Sequence, residues 1–373
     1  MALVVFSLVA GTAFAADLPT TDDLPNGISR LAGENRYDTS VQIAKTYSAP
    51  VDQVVVAAGT DFPDALSASA TGSKGPVLLT SPKELPQTVA EEIKRLQPKT
   101  IFIAGGNTSV SSGVAEQLRA IAPIKRLGGQ NRYETSLNIQ KELVGQGEEI
   151  FVATGESFPD ALAAGAIAGT KAAPVILVPG SADSVDAQSI KNSTGANQAY
   201  IVGGTASVSS GIEAALGGYM HVERISGQDR FLTATQLNGK FYGNGPETVF
   251  LATGASFPDA LAGGALAGAI GAPLFVTNQS CNPKGVFDVL NTKPGHVVML
   301  GGSASLADAV GTNTLCAPTP APAPAPKPDV YYENCTDVWN AIGRPLTKSD
   351  PGYETPRLDR DGDGVACERD PRR

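Results

Sequence analysis

The sequence predicts an α/β protein of three tandem parallel-sheet modules, followed by a proline-rich linker and a small tail. Three observations predict it. Three motifs recur along the chain with one period. Arg30-Leu-Ala-Gly-Glu-Asn-Arg36-Tyr-Asp-Thr39 returns as Arg126-Leu-Gly-Gly-Gln-Asn-Arg132-Tyr-Glu-Thr135, then as Arg224-Ile-Ser-Gly-Gln-Asp-Arg230-Phe-Leu-Thr233. Gly59-Thr-Asp-Phe-Pro-Asp64-Ala-Leu returns around Asp160 and Asp259, and a Gly-Gly pair ends an apolar run at Gly105, Gly203 and Gly301. Equivalent positions lie 96 to 99 residues apart, the size of one small domain each rather than one turn of a solenoid. The second observation is that uninterrupted apolar runs alternate with helical patterns, as in parallel sheets with right-handed crossovers. The third is Ala317 to Pro328, with proline at every second position, which neither pairs in a sheet nor continues a helix.

In the first module, Arg36 to Tyr47 is a helix with Asn35 as its N-cap. Val54 to Ala58 is a strand buried on both faces, and Pro63 to Ser73 is a helix with proline in its first turn. Val77 to Thr80 is a strand, Pro86 to Leu96 an amphipathic helix and Ile101 to Ala104 another buried strand. Ser112 to Ile121 is a helix, and Ile124 to Leu127 leads into the next module. The other modules repeat this order, giving boundaries of 28–123, 124–221 and 222–316. The linker, 317–328, is a semi-rigid spacer of roughly 35–40 Å. The tail, 329–373, is too short to order itself without a staple.

Composition narrows the function. The net charge of −9 argues against general nucleic-acid binding. Leu3 to Ala10 is a short apolar run with no preceding Lys or Arg, and Ala13-Phe-Ala15 has the small-x-small form of a cleavage site. Residues 1–15 therefore read as a signal peptide too short to span a bilayer, giving a secreted protein with no membrane insertion after cleavage. Four cysteines fit an oxidising compartment. Of three pairings, Cys281–Cys316 and Cys335–Cys367 place each bridge inside one folding unit; free buried thiols are the alternative.

Two sets of residues carry candidate chemistry. In the tail, Asp359, Asp361 and Asp363 stand at positions 1, 3 and 5 of an EF-hand-type loop, with Gly364 at the turn and Val365 offering its carbonyl. Hard oxygen donors at this spacing suit Ca2+; Glu368 and Asp370 are the candidates for the last ligand. In the modules, Arg36, Arg132 and Arg230, with Asp64, Asp160 and Asp259, admit two readings. They cap helices and pair with one another, or they form a polar rim at the carboxyl ends of parallel strands, where α/β folds bind ligands. An Arg fork suits phosphate or carboxylate groups.

These motifs resemble known families. Tyr332-Glu-Asn-Cys335, Pro351-Gly-Tyr353 and Leu358 to Glu368 resemble the excalibur family of extracellular calcium-binding domains. That resemblance implies Glu368 as the last ligand and also the Cys335–Cys367 bridge. The three long motifs resemble the cell-wall-binding repeat type 2 family of Gram-positive bacteria, over about residues 28–316. The resemblance implies Rossmann-like or Toprim-like modules about a pseudo-threefold axis. It also implies non-covalent, wall-associated anchoring to an anionic wall polymer or peptidoglycan-associated glycan. The third copy departs most, with Ser226, Asp229 and Phe231.

The repeat family is often joined to wall hydrolases, but only His221 and His296 exist, and no segment remains for a catalytic domain. There is no Gly-x-Ser-x-Gly elbow, Gly-x-Gly-x-x-Gly or P-loop. The expectation is a non-catalytic wall-anchored protein. The alternatives are an amidase-type hydrolase or its accessory, and a calcium-dependent adhesin.

Overall fold

The computed structural model describes residues 18–243, 245–317, 330–353 and 356–372. The expected signal peptide and most of the expected linker lie outside them. The chain forms two compact units, Met1–Cys316 and Ala317–Arg373.

In the first unit, β1 (Gly27–Leu31) leads to α1 (Arg36–Ala44), β2 (Gln53–Ala58), α2 (Pro63–Ala68), β3 (Val77–Thr80), α3 (Gln87–Leu96), β4 (Thr100–Ala104), α4 (Ser112–Arg119) and β5 (Ile124–Leu127). The second repeat gives α5 (Arg132–Ile139), β6 (Glu149–Thr154), α6 (Pro159–Thr170), β7 (Val175–Val178), α7 (Ala187–Thr194), β8 (Gln198–Val202), α8 (Ser210–Gly217) and β9 (His221–Ile225). The third gives α9 (Arg230–Tyr242), β10 (Thr248–Thr253), α10 (Pro258–Ile270), β11 (Leu274–Thr277), α11 (Lys284–Leu290), β12 (His296–Leu300) and α12 (Asp308–Gly311). The strands form three four-stranded parallel sheets, ordered β3-β2-β4-β5, β7-β6-β8-β9 and β11-β10-β12-β1.

The sheets and the sequence repeats are out of phase by one strand. Each Arg-Leu motif begins on a strand that completes the preceding sheet. The first of these strands, β1, therefore pairs with β12 at the other end of the array, Gly27 to Leu31 against His296 to Leu300. The closure is reinforced by the Gly27 N–H donating to Gly295 O at 2.8 Å and by His296 Nδ1 lying 3.0 Å from Pro25 O.

The middle of the ring is packed by α2 and its continuation, α6 and α10. Their Ala- and Gly-rich faces let backbones approach closely. A Cβ on Gly72 would lie 1.8 Å from Ala265 O. At one end of this bundle Phe62, Phe158 and Phe257 form a closed triangle, with centroids 5.6–5.9 Å apart and ring angles of 61–62°. That near-identical geometry marks the pseudo-threefold axis expected from the family resemblance. One core cluster runs from Leu24 to Leu300, through all three repeats.

The helix expected over Pro63 to Ser73 is α-helical only to Ala68 and tightens to 3₁₀ over Ser69–Lys74. The hydroxyls of Ser69 and Thr71 donate to Leu66 O and Ala68 O, both at 2.7 Å, which competes with the helical ladder. The third repeat ends on the short α12. The Cys281–Cys316 disulfide holds that end to the loop before α11.

The second unit holds α13 (Cys335–Ile342) and a two-strand antiparallel pair, β13 (Leu346–Thr347) with β14 (Val365–Ala366). Among the described residues its core is Val338, Leu346, Leu358, Ala366 and Cys367, with Trp339 and a few neighbours against it. The Cys335–Cys367 disulfide joins α13 to the chain just after β14. No described helix in either unit is long and apolar enough to cross a membrane.

Because one core is shared by three repeats, the first unit is expected to melt in a single transition, unlike a solenoid array. A chain ending at residue 221 lacks the partner of β1 and two of the three sheets' shared contacts. It should show no cooperative melt by calorimetry; a two-repeat fragment that melts sharply would contradict ring closure.

Candidate functional site

The Arg-motif places its side chains by helix capping. Asn35 accepts N–H bonds from Tyr37 and Asp38, and Asn131 from Tyr133 and Glu134. In the third repeat Asp229 substitutes, accepting from Leu232 N at 2.8 Å. Capping fixes the next residue, Arg36, Arg132 or Arg230, as the first of its helix. From there each guanidinium donates to a carbonyl at the end of the central strand of its own repeat. Arg36 reaches Gly59, Arg132 reaches Gly155, and Arg230 reaches Gly254 at 2.7 Å. Three residues further on, Thr39, Thr135 and Thr233 are buried and accept the Gly33, Gly129 and Gly227 N–H at 3.0–3.1 Å.

The Phe-Pro-Asp motif opens the central helices, with proline in the first turn. Its carboxylate finds a partner on another loop of the same sheet. Ser109 Oγ donates to Asp64 at 2.7 Å and Ser207 Oγ to Asp160 at 3.0 Å, while Ser305 draws the Asp259 carboxyl down. The Gly-Gly motif makes room for this. Gly105, Gly203 and Gly301 have φ of +102°, +114° and +97°. A Cβ there would stand 2.1, 2.6 and 2.2 Å from the same carboxylate oxygens. Only glycine meets both demands.

The two motifs that face each other come from different repeats. Asp64 lies in the field of Arg132, Asp160 in that of Arg230, and Asp259 in that of Arg36, so the set closes cyclically. The threonine acts across the junction as well: Thr233 draws the Asp160 carboxyl down and Thr39 that of Asp259. No ion pair among the described residues joins these Arg and Asp groups. Guanidinium and carboxylate instead share pockets of about 160 Å³ at the Arg132–Asp64 junction and 180 Å³ at the Arg36–Asp259 junction. Each pocket lies where the strand order reverses, beyond the carboxyl ends of β2 and β4 or their equivalents, where open α/β sheets bind ligands. Burial pushes all three carboxyls above the ordinary 3.8, and the Ser hydroxyls draw them part of the way back.

The three serines and three threonines recur with the same period as the motifs, but only the fold brings them to the carboxylates. The first arginines of the motif have a different role. Arg30 donates to Gly301 O at 2.6 Å and pairs with Asp308, Arg126 donates to Gly105 O and Gly106 O at 3.0 Å, and Arg224 donates to Gly203 O at 2.9 Å. They tie each borrowed strand to the Gly-Gly turn beside it.

In the tail, carboxylate oxygens of Asp359, Asp361 and Asp363 all lie within 4.8 Å of one another, while Glu368 stands outside this group and is exposed. Asp359 is buried and accepts the Gly362 and Gly364 N–H at 2.9 and 3.1 Å. Gly362 and Gly364 have φ of +74° and +101°, which turns the loop back on Asp359. The Tyr353 hydroxyl donates to Asp359, holding its carboxyl below the ordinary range and pushing the Tyr353 hydroxyl up to about 12. Trp339 Nε1 donates to Cys367 O at 2.8 Å, anchoring the loop exit. The donor set, three converging carboxylates in a short loop, fits a hard divalent cation.

The profile of the family Cell wall binding domain 2 (CWB2) matches residues 30–115, 126–213 and 224–311, and that of the Excalibur calcium-binding domain matches 332–368. The chain is 29% identical over 296 residues to the N-acetylmuramoyl-L-alanine amidase LytC of Bacillus subtilis (strain 168), covering 79% of this chain and 59% of that protein. It is 29% identical over 292 residues to the Amidase enhancer of the same organism, covering 77% and 40%. It thus spans less than two thirds of either relative. Among solved structures, Cwp6 from Clostridium difficile superposes with a TM-score of 0.69 at 25% identity, covering 80% of this chain and 51% of that one. Cwp8 from the same organism gives 0.68 at 26%, covering 76% and 50%.

The raised carboxyls make a testable statement. A folded pKa above the unfolded value means that ionisation weakens the fold, and that the penalty is relieved as pH falls through the raised value towards 3.8. The triple variant Asp64→Asn, Asp160→Asn, Asp259→Asn should melt no lower than the parent at neutral pH. The parent should gain on the variant over that acidic window. A loss of about 1–2 kcal/mol per site at neutral pH would instead assign these residues to helix capping.

Proposed function

This chain belongs to the cell wall binding domain 2 family, and we propose that it is a secreted, non-catalytic protein held non-covalently on the bacterial cell wall through its three repeats. In this reading the repeats bind an anionic wall polymer or a peptidoglycan-associated glycan. The observation that carries it is the cyclic set of junctions, where Arg36, Arg132 and Arg230 face Asp259, Asp64 and Asp160 without pairing. Two of the three enclose a pocket. Groups kept apart and partly desolvated in this way are arranged for a ligand rather than for each other. Three such sites on one rigid unit favour multivalent attachment to a repeating polymer.

The two relatives named for amidase activity favour a second reading, that of a wall hydrolase or its accessory. The candidate chemistry here is otherwise engaged. His221 contacts Gln198, His296 lies against Pro25, and the four cysteines form two disulfides. The adhesin reading rests on the tail being a separate compact unit.

The tail reading names Asp359, Asp361 and Asp363, with the Val365 carbonyl and Glu368, as the residues that would hold Ca2+. The bound ion would relieve repulsion among crowded carboxylates and add order to a unit with five buried core residues. Val338, Leu346, Leu358, Ala366 and Cys367 alone are a small core for such a unit.

Two measurements test these readings. The purified protein should co-sediment with Gram-positive walls, release no dye from labelled peptidoglycan, and lose retention once anionic polymers are extracted. Equal retention before and after extraction would sink the polymer assignment. Calorimetric titration should show one calcium bound at about 10⁻⁴–10⁻³ M. Asp363→Ala should abolish that heat, whereas Asp370→Ala should leave it; an unchanged titration for Asp363→Ala would remove the loop as the site.

A further inference from the structure

Resting on the wall-anchoring reading, we infer that the junction pockets take neutral, hydroxyl-bearing sugar units of the wall polymer, one pair of neighbouring hydroxyls bridging guanidinium to carboxylate. The polymer's anionic groups stay in solvent. At one junction Arg132 is outnumbered by Asp61 and Asp64, and at another Arg36 is outnumbered by Glu34 and Asp259. Each pocket is thus net negative in a chain of net charge −9, and neither would attract a phosphate.

An ionised carboxylate and a phosphodiester both only accept, so a phosphate placed between Asp64 and Arg132 satisfies one group and opposes the other. A hydroxyl both donates and accepts. One hydroxyl of a diol can donate to the carboxylate while its neighbour accepts from the guanidinium. The protein already does the first half of this itself: Ser109 and Ser207 hydroxyls donate to Asp64 and Asp160. Each guanidinium also has one nitrogen committed to a backbone carbonyl, which weakens the free fork that two-point phosphate binding uses.

Asp259 is 7% exposed, and burial already raises all three carboxyls. A second negative charge beside them would add to that penalty, whereas a neutral polyol supplies donors that offset it.

The test uses the full chain and walls that retain it by sedimentation. The competitors are the phosphodiester-free oligosaccharide released from those walls by hydrofluoric acid, and glycerol phosphate. The oligosaccharide should displace the protein at a concentration about tenfold lower than glycerol phosphate does. Retention should change less than about twofold between roughly 0.05 and 0.5 M NaCl. The triple Asp→Asn variant should bind about tenfold more weakly. Displacement by glycerol phosphate alone, salt-driven release, or tighter binding by the folded variant would each overturn the sugar assignment and leave wall anchoring standing. If no wall retains the protein, the anchoring reading fails, and this inference with it.

Discussion

The exchange of edge strands is the constraint on which the rest of the first unit depends. Each sheet is completed by the strand that opens the following repeat, so no repeat owns a whole sheet. A linear array built this way leaves one unpaired strand at its start and one open sheet at its end. Pairing β1 with β12 removes both, and three repeats close the ring around small-residue helices.

The same phase shift builds the junctions. The strand exchange carries each Arg-motif to the carboxyl end of its neighbour's sheet, beside that sheet's Asp and Gly-Gly turn. Arg30, Arg126 and Arg224 clamp the turn, while Arg36, Arg132 and Arg230 reach past it to the next sheet. The departures of the third copy leave this intact: Asp229 caps as asparagine does, and Phe231 packs on Gly254 as Tyr37 packs on Gly59. What the arrangement does not do is neutralise the buried carboxylates. Serine and threonine hydroxyls satisfy them in part, and the opposing guanidinium stays across the pocket. Stability is given up there in favour of a polar cleft.

The tail solves a different problem, that of size. With five buried core residues among those described, it relies on covalent and polar ties. The disulfide, the Trp339 bond to Cys367 O and the Tyr353 bond to Asp359 all converge on the acidic loop. Asp359 is thereby the organising residue of the loop, with Asp361 and Asp363 exposed beside it.

Much of this was legible from sequence because it is periodic or local. The buried runs at Val54 and Ile101, the cap at Asn35, the proline at the start of α2 and the spacing of Asp359, Asp361 and Asp363 are each set within a few residues. The break from α to 3₁₀ at Ser69 was not legible, since hydroxyl back-bonding and the close approach of Ala265 decide it together. Nor did local pattern show that Arg132 faces Asp64 while Arg36 faces Asp259. Strand-to-sheet assignment depends on which edge is open after closure, a property of the whole ring. The serines at 109, 207 and 305 carried the repeat signal, but their role appears only when the Gly-Gly turn brings them against a carboxylate. Sequence determined the elements, their number and the chemistry available; tertiary structure alone decided which repeat supplies each half of a site, because parallel pairing joins residues more than 250 positions apart.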